Sequence, residues 1–379
     1  MRRLTVVQLL PALESGGVEK STIEIATALV QAGHRALVVS GGGPLLPALA
    51  AAGAEHVTLD IGRKSLSTLR HASTLRRLFA QESIDIVHAR SRLPAWLAVR
   101  ALKGVAAEGR PRLVTTMHGL NSPGWYSAVM TRGERVVCVS ETVRRYLLRH
   151  YPRTDPQVLR VIPRGIGPEQ FPRVSDSHGA QIRQRLCAQL PAIGGDGPLL
   201  LLPGRGSRLK GHADALRLLA ALRADASDAR LWLPGARQVG REDYIVEMEA
   251  EARRLGIGDA VAFTPPTANM AEAYAASDLV LQLSRKPEAF GRTVIEALSV
   301  GRPVLGWNHG GVGELLAELQ PQGAVEPFDA AALVAAAADL LGQPPMPLAT
   351  MPYTLRAMQD ATLALYRELI DEPAEHAHR

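Results

Sequence analysis

Glu288 and Glu296 stand with seven residues between them in the segment Pro287-Glu288-Ala289-Phe290-Gly291-Arg292-Thr293-Val294-Ile295-Glu296, after the apolar run DLVLQLS. The pattern predicts a helix opening near Gly291, with Glu288 just before it and Glu296 one to two turns inside. The first N–H groups of such a helix have no intrahelical partner and form an anion site. Ala289, Phe290, Gly291, Arg292 and Thr293 are therefore candidates to hold a ligand. A glutamate at the mouth can accept hydrogen bonds from sugar hydroxyls, and one further along can accept two from a ribose diol. The same two residues would equally suit a dipole-favoured position at a helix start and a solvated helix face. Alone, the pair leaves both readings open.

A second anion-binding element is Gly204-Arg205-Gly206-Ser207-Arg208-Leu209-Lys210-Gly211, again after an apolar run, PLLLLPG. Arg205 in the loop and Lys210 at the next helix start could together neutralise a diphosphate. It is not a P-loop, because Lys210 is followed by Gly211 and His212 rather than by Ser or Thr. In the first half, Gly16-Gly17 turns the first apolar run into a helix and allows the backbone to approach a ligand. No G-x-G-x-x-G stands there, which disfavours a nicotinamide cofactor. His118 ends the run RLVTTM and is followed by Gly119, and His88 and Arg90 follow IDIVHA. Of the two histidines, His118 is the better candidate for a functional role.

Short apolar runs alternating with amphipathic stretches must position these residues, the pattern of βαβ units in parallel sheets. The first-half strand candidates are LTVVQLL, ALVVS, IDIVHA, RLVTTM, RVVCVS and LRVIP. Those of the second half are PLLLLPG, ARLWLPG, AVAFT, DLVLQLS and RPVLGW. Their unbroken apolar character fits strands covered on both faces. A Pro/Gly/Ser-rich segment over residues 163–181 is the linker candidate. The expected architecture is α/β: two Rossmann-like doubly wound domains, 1–170 and 171–345, facing each other across a cleft. A helix over 353–372 is a candidate to complete the first.

The formal charge of +6 is unevenly distributed: residues 1–173 carry 24 Lys/Arg against 12 Asp/Glu, and residues 174–379 carry 19 against 25. A basic first half, in a chain with only five Phe, seven Tyr and four Trp, suits an anionic substrate or lipid surface better than base stacking on nucleic acid. Two cysteines, Cys138 and Cys187, make neither a disulfide framework nor a zinc site and point to the cytoplasm. The start, MRRLTVVQLLPALESGG, mimics a signal peptide but is interrupted by Gln8 and Pro11; it reads as a first buried strand.

Taken together, these elements resemble the retaining glycosyltransferases of family four, whose fold is GT-B. Glu288 and Glu296 form that family's E-x7-E pattern, and Arg205 and Lys210 its G-R-x-x-x-x-K-G clamp. Gly16-Gly17 matches the first-loop glycines, and His118-Gly119 the donor-side histidine. Arg164, in VIPRGI, stands where the family usually has Asn, and Pro265-Pro266 where it often has Gly. The resemblance implies a nucleotide-diphosphate sugar donor, of UDP or GDP type, held mainly by the second domain and a glycan or lipid-linked glycan acceptor held by the first. It also implies transfer with retention, Arg205, Lys210, Glu288 and His118 being catalytic, and donor binding that extends to Glu296. No D-x-D triplet occurs in the sequence, which agrees with a site that uses no metal and no cofactor. Segment-level likeness of PEAFGRTVIEAL and GRPVLGWNHGGVGE adds lipopolysaccharide core or another surface polysaccharide as the product, made at the inner face of the cytoplasmic membrane. The competing classes are a GT-B epimerase or glycan phosphorylase and a non-catalytic nucleotide-sugar-binding protein.

Overall fold

Thr5–Leu9 and Arg35–Ser40 are almost wholly buried, so neither can serve as a half-wet antiparallel strand; each pairs in parallel and is covered on both faces. Alternate residues then serve opposite layers, Val6 and Val38 one apolar cluster and Val7, Leu37 and Val39 the other. The computed structural model describes residues 2–14, 16–106, 109–225 and 227–372. It divides into two compact units, one running to Arg164 and resuming at Leu355, the other Gly165–Thr354. The division thus falls six residues before the expected boundary at residue 170.

The first unit carries a seven-stranded parallel sheet: β1 (Thr5–Leu9), β2 (Arg35–Ser40), β3 (Glu55–Thr58), β4 (Ile86–Ala89), β5 (Arg112–Met117), β6 (Arg135–Cys138) and β7 (Leu159–Val161). Their order is β3-β2-β1-β4-β5-β6-β7. In register, Val6 of β1 lies beside Ala36 of β2 and Ile86 of β4. The second unit repeats the scheme with β8 (Leu199–Leu201), β9 (Arg230–Pro234), β10 (Val261–Thr264), β11 (Leu279–Gln282), β12 (Val304–Trp307) and β13 (Ala324–Val325), in the order β10-β9-β8-β11-β12-β13. Strand order reverses at β1/β4 in the first sheet and at β8/β11 in the second. Ligands of open α/β sheets bind outside the carboxyl ends of the strands at such reversal points.

Two differences from the sequence expectation, at the sheet edges and at the last helix, have physical causes. Strands β3 and β13 are absent from that expectation: both are sheet edges, one only half-buried and the other two residues long, so neither shows a long apolar run. After β3 a 3-10 turn, Leu66–Arg70, leads into a helix, His71–Gln81, and the Ser65 hydroxyl accepts from the Ser67 amide to cap the tighter turn. The last helix starts at Leu355, just after Pro352, and runs to Asp371. It seals the first unit: Met358, Leu363, Tyr366 and Leu369 join the cluster of Val6, Ile25 and Leu29. The two cysteines are unbridged. Among the described residues no helix is long and apolar enough to cross a membrane.

Candidate functional site

In the second unit the loops leaving β8 and β11 come together. The β8 loop passes through a 3-10 turn, Arg208–Lys210, into the helix His212–Ala224, and Gly211 joins them with φ +78°. A side chain there would strike the Leu283 carbonyl oxygen at 2.1 Å, so the two loops touch through glycine backbone. That closeness delivers Lys210 to Glu288: Nζ donates to Oε1 at 2.5 Å. Glu288 also accepts from Ser284 Oγ at 2.5 Å and Gln282 Nε2 at 3.4 Å. The carboxylate is thus held by two donors from the β11 side and one across the crevice. Arg205, by contrast, is exposed and has no hydrogen-bond or ion-pair partner among the described residues. Arg208 is committed elsewhere, forked onto the Glu247 carboxylate at 2.7 and 2.6 Å.

Gly291, with φ +109°, precedes the helix Arg292–Val300, and neither it nor any other side chain caps the helix start. Ala289 and Phe290 are buried beneath that turn, with the Phe290 ring edge-on to Tyr353. On the other side of the loop, the Gly311 amide donates to the Glu288 carbonyl at 2.8 Å, docking the helix Gly310–Leu319 on the segment. Glu296 does not meet Glu288; it accepts from the Tyr274 hydroxyl at 2.8 Å and pairs with Arg292 Nε at 3.5 Å. Burial, followed by the Glu296 charge and hydrogen bond, pushes the Tyr274 phenol well above its ordinary range. Tyr274, Ser284 and Gln282 are functional candidates that sequence reasoning missed. Only Ser284, two residues after a strand end, carried a local signal.

In the first unit, Gly16 is the N-cap of the helix Gly17–Gln31, with no side-chain cap, and a Cβ on Gly17 would meet open space. Ser21, one turn in, accepts from Arg164 Nη1 at 2.5 Å, and Arg164 Nη2 meets His118 Nδ1. Arg164 therefore ties the helix after β1 to the end of β5. Arg90, at the end of β4, is 2% exposed and donates to Gln8 Oε1 at 2.7 Å and to Ser21 Oγ. Burial, only partly offset by Tyr366 and Glu24, lowers its pKa to about 10. Burial first, then the charges of Arg164, Arg90 and His88, pushes the His118 imidazole well below its ordinary range. Its Nε2 is buried without a partner among the described residues. His88 is wholly enclosed, bonded to Tyr366 Oη and Thr116 Oγ1 at 2.6 Å each, and its pKa is lowered likewise, mainly by burial. His88 is thus locked in place while His118 retains an unused nitrogen.

Residues 15–170 match the family model Glycosyltransferase Family 4, and residues 189–354 match Glycosyl transferases group 1. A mannosylfructose-phosphate synthase of Agrobacterium fabrum is 30% identical over 176 residues, 45% of this chain. The match covers 37% of that relative's length, so the chain spans well under half of it. The crystal structure of a glycosyltransferase from Rickettsia africae ESF-5 superposes with a TM-score of 0.85 at 26% identity, covering 98% of this chain and all of that one. Alr3699/HepE of Anabaena, in complex with UDP and glucose, gives a TM-score of 0.79 at 20% identity over 96% of this chain and all of its own. With these two domain types in sequence, and a doubly wound sheet in each unit, the chain belongs to the GT-B glycosyltransferases.

Proposed function

We propose that the protein transfers a sugar from a nucleotide-diphosphate donor to a glycan or lipid-linked glycan acceptor, with retention at the anomeric carbon. The observation that carries this reading is the Lys210–Glu288 contact, which sets a cation beside a carboxylate where the loops after β8 and β11 meet, at the point where strand order reverses. Arg205, Lys210 and the positive end of the helix Arg292–Val300 supply the positive field that a departing diphosphate needs. In this role they replace a divalent ion. Before donor arrives Glu288 neutralises Lys210; a bound diphosphate takes over that ammonium and frees the carboxylate to accept from sugar hydroxyls. Glu296, held by Tyr274 and Arg292, is preset for a ribose diol. The UDP and glucose in the Anabaena structure support a nucleotide-sugar donor for this chain as well.

The first unit is the acceptor side in this reading, with His118 offering its Nε2 nitrogen and tied through Arg164 to Ser21, in the helix that the glycines at 16 and 17 open. Its excess of basic residues fits an acceptor met at an anionic membrane, such as a lipopolysaccharide core precursor at the inner face of the cytoplasmic membrane. Part of that charge is already engaged: Arg76 donates to the Ala101 carbonyl and Arg144 pairs with Glu141.

Thermal-shift screening of UDP- and GDP-sugars, followed by transfer assays with the stabilising donor, tests the assignment. A ligand at ~100 times its Kd adds ~2.7 kcal/mol of stability. Stabilisation by no nucleotide sugar would remove the donor reading. Release of free nucleotide from donor alone, with no transfer, would favour the epimerase class instead.

A further inference from the structure

The geometry points to an acceptor subsite on the first unit, in which the indole of Trp125 stacks on a pyranose ring of an acidic glycan; it rests on the glycosyl-transfer reading above. The chain is poor in aromatic residues, yet two of its four tryptophans and one of its seven tyrosines meet at one surface point. Trp125 packs edge-to-face with Trp96 (centroids 5.6 Å, 65°) and with Tyr126 (5.9 Å, 74°). The other two tryptophans, Trp232 and Trp307, are buried in strands of the second unit. Trp125 remains 78% exposed, so most of its apolar ring surface stands in water.

This ring is mounted, not loose. Its loop, between His118 and Thr131, is anchored by Ser127 Oγ donating to the Ser122 carbonyl at 2.8 Å and by the Gly124 amide donating to Tyr151 Oη at 3.3 Å. Tyr146 Oη donates to the Asn121 carbonyl, and Trp96 Nε1 to the Tyr126 carbonyl at 3.0 Å. The loop leaves β5 at His118, and Trp96 lies in the helix Arg92–Leu102 that follows β4. The aromatic group therefore stands at the carboxyl edge of the sheet, where the candidate histidine also stands.

Chemistry at the rim selects the ligand. Arg92 lies 5.3 Å from the Tyr126 ring centre and Arg132 lies 5.2 Å from that of Trp96. Arg92 Nη1 also donates to Ser127 Oγ at 3.2 Å. Neither guanidinium meets a carboxylate among the described residues. A guanidinium stacked on a ring keeps its in-plane N–H groups for a carboxylate or phosphate. The π-face of an indole, negative at its centre, suits the slightly positive C–H groups on one face of a pyranose. A single exposed indole gives little apolar area for entering a bilayer, so the surface fits an acidic sugar better than lipid.

The test is binding of the full chain to an array that pairs neutral oligosaccharides with their uronate- and phosphate-bearing counterparts. Wild type is expected to favour the acidic members at least tenfold. Trp125→Ala should lose tenfold or more, Trp125→Tyr should retain most of the binding, and Arg92→Gln with Arg132→Gln should abolish the acidic preference. Equal binding by Trp125→Ala and wild type, or wild-type binding to no member of the array, overturns the proposal. So does Trp125-dependent sedimentation with phosphatidylglycerol vesicles in place of glycan binding, since that marks a lipid-entering residue. Nucleotide-sugar thermal shifts on the same samples keep the two readings apart: Trp125-dependent glycan binding without a nucleotide shift sinks the donor assignment alone.

Discussion

Arg164 donates from Nη2 to His118 Nδ1, joining the last residue of the first unit's main segment to the end of β5. A guanidinium can only donate, so Nδ1 must accept and the neutral imidazole carries its proton on Nε2. Through this contact Arg164 fixes which nitrogen of His118 is the donor. Long-range ¹⁵N–¹H spectra of histidine-labelled protein at pH 7 should show His118 as the neutral Nε2–H tautomer. Arg164→Ala should give a mixture of tautomers and a higher pKa, with the neighbouring charge removed. A wild-type imidazolium or Nδ1–H form would contradict the contact.

Arg205→Ala and Lys210→Ala should each lower turnover by roughly 10²–10³, the loss of one preorganised donor to a developing oxyanion. They should differ in stability. Arg205 is exposed and unpartnered among the described residues, so its removal should leave Tm in place, whereas Lys210→Ala deprives the half-buried Glu288 carboxylate of its ion pair. A loss of about 1–2 kcal/mol is expected there. Calorimetry beside steady-state kinetics checks both, and near wild-type turnover in the two variants would end the clamp assignment.

Glu288→Gln should mainly reduce kcat, while Glu296→Gln should mainly raise the donor KM. Tyr274→Phe, which removes the hydrogen bond at 2.8 Å to Glu296, should follow Glu296→Gln in direction with a smaller effect. Identical kinetic profiles for the two glutamate variants would count against separate roles.

His212 is enclosed beside Tyr244 and Lys210, and burial lowers its pKa from 6.5 to about 4. The unfolded chain therefore binds this proton more readily than the folded one does. Stability from this group is complete above pH 6.5 and drains away as pH falls toward 4, by about 3 kcal/mol in all. His88 and His118, also lowered, act in the same direction. Urea unfolding at pH 7.5 and 4.5 should show a smaller pH-dependent loss in His212→Gln than in wild type.

Transfer activity should persist in EDTA, because the sequence has no D-x-D and provides two cations at the proposed diphosphate position. Inactivation by chelator, reversed by Mg²⁺ or Mn²⁺, would assign that position to a metal.

The order of apolar runs determined the two parallel sheets, and the glycines after them marked where each strand turns into its helix. Burial periodicity and turn chemistry are local properties that a linear pattern records. The same locality placed Glu288 before a helix and Glu296 within it. What it left out depends on neighbours far along the chain. Strands β3 and β13 gain their state only from β2 and β12 beside them. Lys210 and Glu288 lie 78 residues apart, and Arg164 and His118 46 apart. Each pair meets because strand order brings separate loops to one sheet edge. Glu296 read as a residue that could be solvated, and only the packing of Tyr274 beneath its helix showed the carboxylate held in place. The sequence thus set which residues sit at strand ends, while tertiary packing decided which partner each would have, since a hydrogen bond depends on positions within a few tenths of an ångström that no local pattern specifies.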